Sequence, residues 1–224
     1  MTTWLDALAT AQRTVYSQTG EEGILEAIFA AVGETNRYLV DIGAGDGTML
    51  SNTRLFLAAG WHGARFDSCY HAGDVHQECI NAENVCAVLA KYEVPREFDL
   101  LSLDIDGIDW YVLRAVLRAH APRVFVCEIN NSLAAEPPRA IVYDPAYVFD
   151  QASDYFGASL GAYQRLAEAY GYALVHCQPW NAFFVRRELL PAGIEPVAPW
   201  APWACWPADP KQRPWYTLTD GDVP

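Results

Sequence analysis

Apolar residues along the chain recur at two spacings, and the spacing switches repeatedly. Ile24, Leu25, Ile28, Phe29 and Val32 follow at three- and four-residue steps, which predicts a helix with one buried face. Thr19-Gly20-Glu21-Glu22 has the form of a capping box before it, and Gly33 is a helix stop after it. Tyr38-Leu39-Val40-Asp41-Ile42 is a short continuous apolar run and predicts a strand. A helix over about 49–59 follows, closed by Gly60, and then a strand over Ala64-Arg65-Phe66-Asp67. Phe98 to Leu103 predicts a strand ending at Asp104, and 107–120 a helix. Val124-Phe125-Val126-Cys127 predicts a buried strand that delivers Glu128. Leu160 to Tyr170 reads as a helix; Tyr172 to Cys177 and Ala182 to Val185 read as two strands joined as a hairpin.

The remaining segments are less patterned. Residues 3–15 suggest a short amphipathic helix, and Asn81 suits the cap of a helix over 82–91. A third strand is hard to find between 68 and 97, and 130–157 reads as one long polar loop, a length usually tied to function. Alternating strands and helices predict an α/β fold. The architecture expected is a Rossmann-like three-layer sandwich with a mostly parallel sheet and an antiparallel C-terminal strand. The chain divides into N-terminal helices (1–35), that core (36–187) and a Pro/Trp-rich tail (188–224). Trp200, Trp203, Trp206 and Trp215 load the tail with apolar surface. It is expected to pack on the body, on a second subunit of a homo-oligomer such as a dimer, or over the active site.

Composition narrows the partners. With 224 residues, 52% hydrophobic and 19% charged, the chain can bury a core without staples. None of its six cysteines forms a C-x-x-C pair, which argues against a structural zinc site. A net charge of −13 argues against nucleic acid and anionic membranes and leaves small molecules as the expected partners. No run reaches the ~18 apolar residues of a membrane span, and the N-terminus lacks a signal pattern, so a soluble cytoplasmic protein is expected.

Chemistry concentrates first at Asp41-Ile42-Gly43-Ala44-Gly45-Asp46-Gly47, directly after a strand. Glycines there let the backbone turn sharply and approach a ligand. The spacing is G-x-G-x-G, and a dinucleotide fingerprint would need a glycine where Thr48 stands. Asp67 closes the second strand, where an acid can accept hydrogen bonds from ribose hydroxyls. A nucleotide-type cofactor other than a dinucleotide is expected.

Val40 to Gly47 resembles motif I of class I S-adenosylmethionine-dependent methyltransferases. Tyr16-Ser-Gln-Thr-Gly-Glu-Glu-Gly23, Ser51-Asn-Thr-Arg54, Gly60-Trp61 and Leu101-Ser-Leu-Asp-Ile-Asp-Gly107 are similar to the FkbM-type branch. The resemblance spans roughly 16–187 and implies an S-adenosylmethionine site. Gly43, Ala44, Gly45, Asp46 and Asn52 would lie beside the cofactor, Asp67 on its ribose, and Gln18 and Glu21 near it.

A second concentration is acidic. Asp104, Asp106 and Asp109 follow one strand; Glu128, Asn130 and Asn131 follow another. Strand carboxyl ends are where α/β sheets bind ligands, so the two groups should converge. Their oxygens suit Mg²⁺, Mn²⁺, Ca²⁺ or Fe²⁺. Asp106 and Asp109 also suit the cap and first turn of the following helix. Some sugar O-methyltransferases of this fold hold a divalent metal with acids at these strand ends, and Asp104, Glu128 and Asn130 look similar to that set. Asp104 is the first choice for a base. Arg139, Tyr155 and Ser159 are candidate substrate contacts; His71 and His76 read as loop histidines, with a base or a metal ligand as the alternative. The function expected is O-methylation of a small polar, sugar- or nucleoside-like hydroxyl. Metal chemistry without methyl transfer, as at a mononuclear iron, and a non-catalytic partner subunit remain open alternatives.

Overall fold

The computed structural model describes residues 4–71, 73–194 and 206–223. Its centre is a seven-stranded sheet built from β1 (Tyr38–Ile42), β2 (His62–Asp67), β3 (Val75–Gln77), β4 (Glu97–Leu103), β5 (Ala121–Glu128), β7 (Tyr172–Cys177) and β8 (Asn181–Arg186). The order is β3-β2-β1-β4-β5-β8-β7, parallel except for β8, which runs antiparallel to both neighbours. This is the α/β Rossmann-like sandwich that the alternation predicts. Two further strands, β6 (Arg139–Ile141) and β9 (Trp215–Thr217), pair antiparallel as a separate ribbon.

Side-chain alternation divides each strand between two apolar layers. On one face Leu39, Leu100, Val124, Val126, Phe183 and Val185 pack against α1 (Trp4–Thr10), α2 (Glu21–Val32) and α3 (Arg54–Ala58). On the other, Val40, Leu101, Leu103, Phe125 and Phe184 pack against α4 (Val85–Lys91), α5 (Asp109–Ala119) and α6 (Leu160–Ala169). Trp110 is fully buried in this second layer and donates its indole N–H to the carbonyl of Ala162, tying α5 to α6.

Several elements are shorter than their patterns predict, and polar side chains explain why. The helix predicted over 49–59 begins only at Arg54. Asp46 accepts from the amides of Thr48 and Met49, and Ser51 from those of Thr53 and Arg54, so turns replace its first half. The helix predicted from 82 begins at Val85, because Asn81 captures the amides of Glu83 and Asn84. The capping box at 19–22 does not form. Gly20 takes the cap position, with φ 92°, and the two glutamates hold the preceding loop instead. Residues 3–15 supply one short helix, α1. A third strand does exist in the unclear region, three residues long, with Arg65, Phe66 and Asp67 in register with Val75, His76 and Gln77.

Candidate active site

At Gly43 and Gly47 the glycine turn is shaped by contacts that leave no room for a side chain. Gly43 has φ 91°, and a Cβ there would stand 1.5 Å from the carbonyl oxygen of Asp104. The amides of Gly43 and Ala44 both donate to Phe66, at 2.9 Å. Gly45 donates its amide to Asp67 Oδ2 at 2.9 Å, and the other carboxylate oxygen accepts from the amides of Cys69 and Tyr70. No atom stands within 4 Å of where a Cβ on Gly45 would lie, so the backbone there borders open space. Beneath the turn, buried Arg65 donates to the Gly47 carbonyl and pairs with Asp74.

That open space is a cavity of about 540 Å³ at the carboxyl ends of β1, β2 and β4. The size falls in the range of small-molecule and cofactor sites. Gly43, Ala44, Gly45, Asn52 and Asp67 line it, with Phe66 and Ile80 supplying apolar wall and Asp104, Asp106 and Tyr147 further along. Its charged residues are Asp41, Asp67, Glu78, Asp104 and Asp106; among the described residues no lysine, arginine or histidine lines it. Asp46 is exposed and engaged in its own turn, and neither it nor Gln18 or Glu21 lines the cavity. Glu21 is fully buried and accepts from the amide and hydroxyl of Thr19 and from Asn181 Nδ2.

Asp104, Asp106 and Glu128 converge: one carboxylate oxygen of each lies within 4.8 Å of the others. Strand register causes the first pairing. Leu103 is opposite Cys127, so the next step sets Asp104 beside Glu128. Asp106 arrives through a backbone turn with φ 57°, a left-handed conformation. It does not cap α5. Asp109 instead anchors the loop, accepting at 2.7 Å from the amides of both Ile105 and Gly107. Burial, and after it the charges of Asp109, Asp106 and Asp41, hold the Asp104 carboxyl well above its usual pKa. Burial likewise raises Asp41 to about 6, against a hydrogen bond from Thr53.

The third position of the acidic group is thus taken by Asp106. Asn130, expected there, is fully buried and tied to the neighbouring loop. Its Nδ2 donates to the carbonyls of Asp154 and Phe156, and its Oδ1 accepts from the Ser132 amide.

The expected substrate contacts also have structural work. Ser159 caps α6 and accepts from the Arg139 amide, tying β6 to that helix. Tyr155 is 4% exposed; its hydroxyl donates to the Pro214 carbonyl and accepts from the Val142 amide. The tail meets this loop: Trp215 packs on Tyr155, Trp206 on Phe149, and the Arg213 guanidinium lies 4.2 Å over the Tyr155 ring. Trp200 and Trp203 lie outside the described residues. From the same loop it is Pro145, Tyr147 and Gln151 that reach the cavity. Tyr147 sits against Gly107, where a Cβ would meet its ring at 2.5 Å. His71 is exposed, and the His76 ring packs on Tyr92.

Among the described residues no helix is long and apolar enough to cross a membrane, and the cysteines are free. No protein-family model matches the chain, and no curated protein matches its sequence.

Proposed function

We propose that the protein is an S-adenosylmethionine-dependent methyltransferase acting on a small molecule. The observation that carries this reading is the charge of the cavity. A glycine turn with open space at Gly45 borders a site whose charged residues are all acidic. Phosphate-bearing nucleotides would meet repulsion there, whereas S-adenosylmethionine, whose sulfonium and ammonium outweigh its carboxylate, is net positive and meets attraction. Gly43, Ala44 and Gly45 would hold that cofactor by backbone approach, and Asp67 would accept from its ribose hydroxyls.

The cofactor supplies a methyl group whose carbon–sulfur bond breaks as a lone pair of the acceptor forms the new bond. The protein's part is charge, position and a proton. Where no cation occupies the acidic group, Asp104 in its ionised form takes the proton from the acceptor's hydroxyl or amino group on its carboxylate oxygen. Tyr147 and Ile108 form wall beside it and limit where the acceptor can lie. Asp104, Asp106 and Glu128 have the hard oxygen donors of a divalent-cation site, and such a cation would lower the pKa of a bound hydroxyl.

Calorimetry on metal-stripped protein tests this. S-adenosylmethionine is expected to bind at one site, and added Mg²⁺ or Mn²⁺ to bind separately at the acidic group. Absence of cofactor binding in every condition would refute the reading; absence of Mg²⁺ and Mn²⁺ binding would remove only the metal.

A further inference from the structure

Two cysteines stand just past the β2–β3 pair, one after each strand, at the rim of the glycine end of the cavity. The parallel register sets Arg65, Phe66 and Asp67 opposite Val75, His76 and Gln77. Cys69 and Cys79 each lie two residues beyond the last of these pairs. Two hydrogen bonds hold the segments together at the strand ends. The Glu78 amide donates to the Asp67 carbonyl at 2.9 Å, and Gln77 Nε2 to the Ser68 carbonyl at 3.2 Å. Neighbouring strands run about 4.8 Å apart, and a disulfide spans Cα atoms about 4.4–6.8 Å apart. Both cysteines are exposed and free. Ser68, Tyr70 and Cys79 line the cavity, so the two segments border one opening.

The other described cysteines lack this arrangement. Cys86 is exposed on α4, with its thiol toward the Ala115 carbonyl. Burial pushes the Cys127 and Cys177 thiols up, which suppresses the reactive thiolate. We infer that Cys69 and Cys79 are a dithiol–disulfide pair that closes the cofactor end of the cavity under oxidation. With hydrogen peroxide as the oxidant, one thiolate attacks a peroxide oxygen. The O–O bond breaks, leaving a sulfenic acid and a hydroxide that takes up the thiol's proton as water. The second thiol attacks the sulfenic sulfur, the S–S bond forms, and a second water leaves. Two thiols and one peroxide thus give one disulfide and two waters. Asp67 Oδ1 accepts from the amides of Cys69 and Tyr70. A bond from Cys69 to Cys79 draws that turn across the opening where a ribose would reach Asp67. This consequence for the cofactor rests on the methyltransferase reading; the pairing of the thiols does not.

The test oxidises the full chain with equimolar hydrogen peroxide and maps disulfides by mass spectrometry. S-adenosylhomocysteine is titrated by calorimetry before oxidation, after it, and after reduction with dithiothreitol. A cross-linked peptide pair carrying Cys69 and Cys79 is expected to dominate. Affinity for S-adenosylhomocysteine should fall at least about tenfold on oxidation and recover on reduction, as ring closure obstructs the site. In Cys69→Ser and in Cys79→Ser, each compared with itself, oxidation should leave the affinity where it was. Linkage requires the reciprocal effect, so saturating S-adenosylhomocysteine should raise the reduction potential of the pair by about 30 mV for each tenfold. Absence of the cross-link would overturn the inference. So would a cross-link that leaves affinity unchanged, or a loss of affinity that persists in both serine variants. If S-adenosylhomocysteine fails to bind even the reduced protein, the methyltransferase reading falls, and the cross-link alone decides whether the thiol pair stands.

Discussion

The two ends of the cavity are made of different material. The glycine end is short in sequence and held by backbone: Gly43 and Ala44 on Phe66, Gly45 on Asp67. The acidic end is assembled from distant segments: the 104–109 loop anchored by Asp109, with Glu128 of β5 behind it outside the cavity lining, and Tyr147 from a loop that the tail pins through Arg213, Trp206 and Trp215. The first end has no room for added atoms at Gly43 and Gly47. The second is set by polar ties between segments, which can change one at a time without losing the fold. One end is thus fixed in shape, and the other can be reshaped by changing single ties.

Substitutions can break this contrast, and the largest effect is expected where the ends meet. Gly43→Val would drive a Cβ into the Asp104 carbonyl at a left-handed φ. It should cost more than about 4 kcal/mol in urea denaturation, as other severe backbone clashes do; a variant of near-normal stability would mean that the turn is not fixed as described. Next comes Asp67→Ala, expected to weaken S-adenosylmethionine by at least about tenfold through loss of a charged acceptor. Unchanged affinity would remove Asp67 from the ribose. At the far end, Tyr155→Phe deletes a hydroxyl bonded to both Pro214 and Val142 and should lower stability by about 1 kcal/mol. Amide exchange should quicken within 139–157 while cofactor affinity moves less than in Asp67→Ala; equal losses of affinity would erase the contrast.

The smallest effect is one of pH. The Asp41 carboxyl is raised from 3.8 to about 6, so the folded protein keeps a proton in that interval which the unfolded chain has released. Its contribution to stability is therefore present at acid pH and is lost as pH rises through about 6. Asp41→Asn cannot titrate, so the variant should gain on the parent as pH goes from below to above this window. Urea midpoints that stay a constant distance apart would contradict the assignment.

The sequence was legible where function depends on neighbouring residues. Gly43, Gly45 and Asp67 announce themselves by spacing after a strand, and Pro179-Trp180 marks the hairpin between β7 and β8. It was less legible where one residue type serves two ends. Ser159 and Tyr155 have the chemistry of substrate contacts, yet one caps a helix and the other ties the tail. Glu21 belongs to a segment expected near the cofactor, but the fold engages its carboxylate with Thr19 and Asn181. Asp106 suits a helix cap by position, and only the left-handed turn shows that it joins Asp104 and Glu128. Tyr147 gave no signal, because its place beside the site comes from contact with Gly107, a residue far along the chain.

On the methyltransferase reading, residues 43–67 form the cofactor end of one continuous cavity. Crystals grown with S-adenosylhomocysteine test it most directly. The ligand is expected along Gly45, with its ribose hydroxyls on Asp67 and its sulfur directed toward Asp104. Density for the ligand elsewhere, or with its ribose away from Asp67, would contradict it.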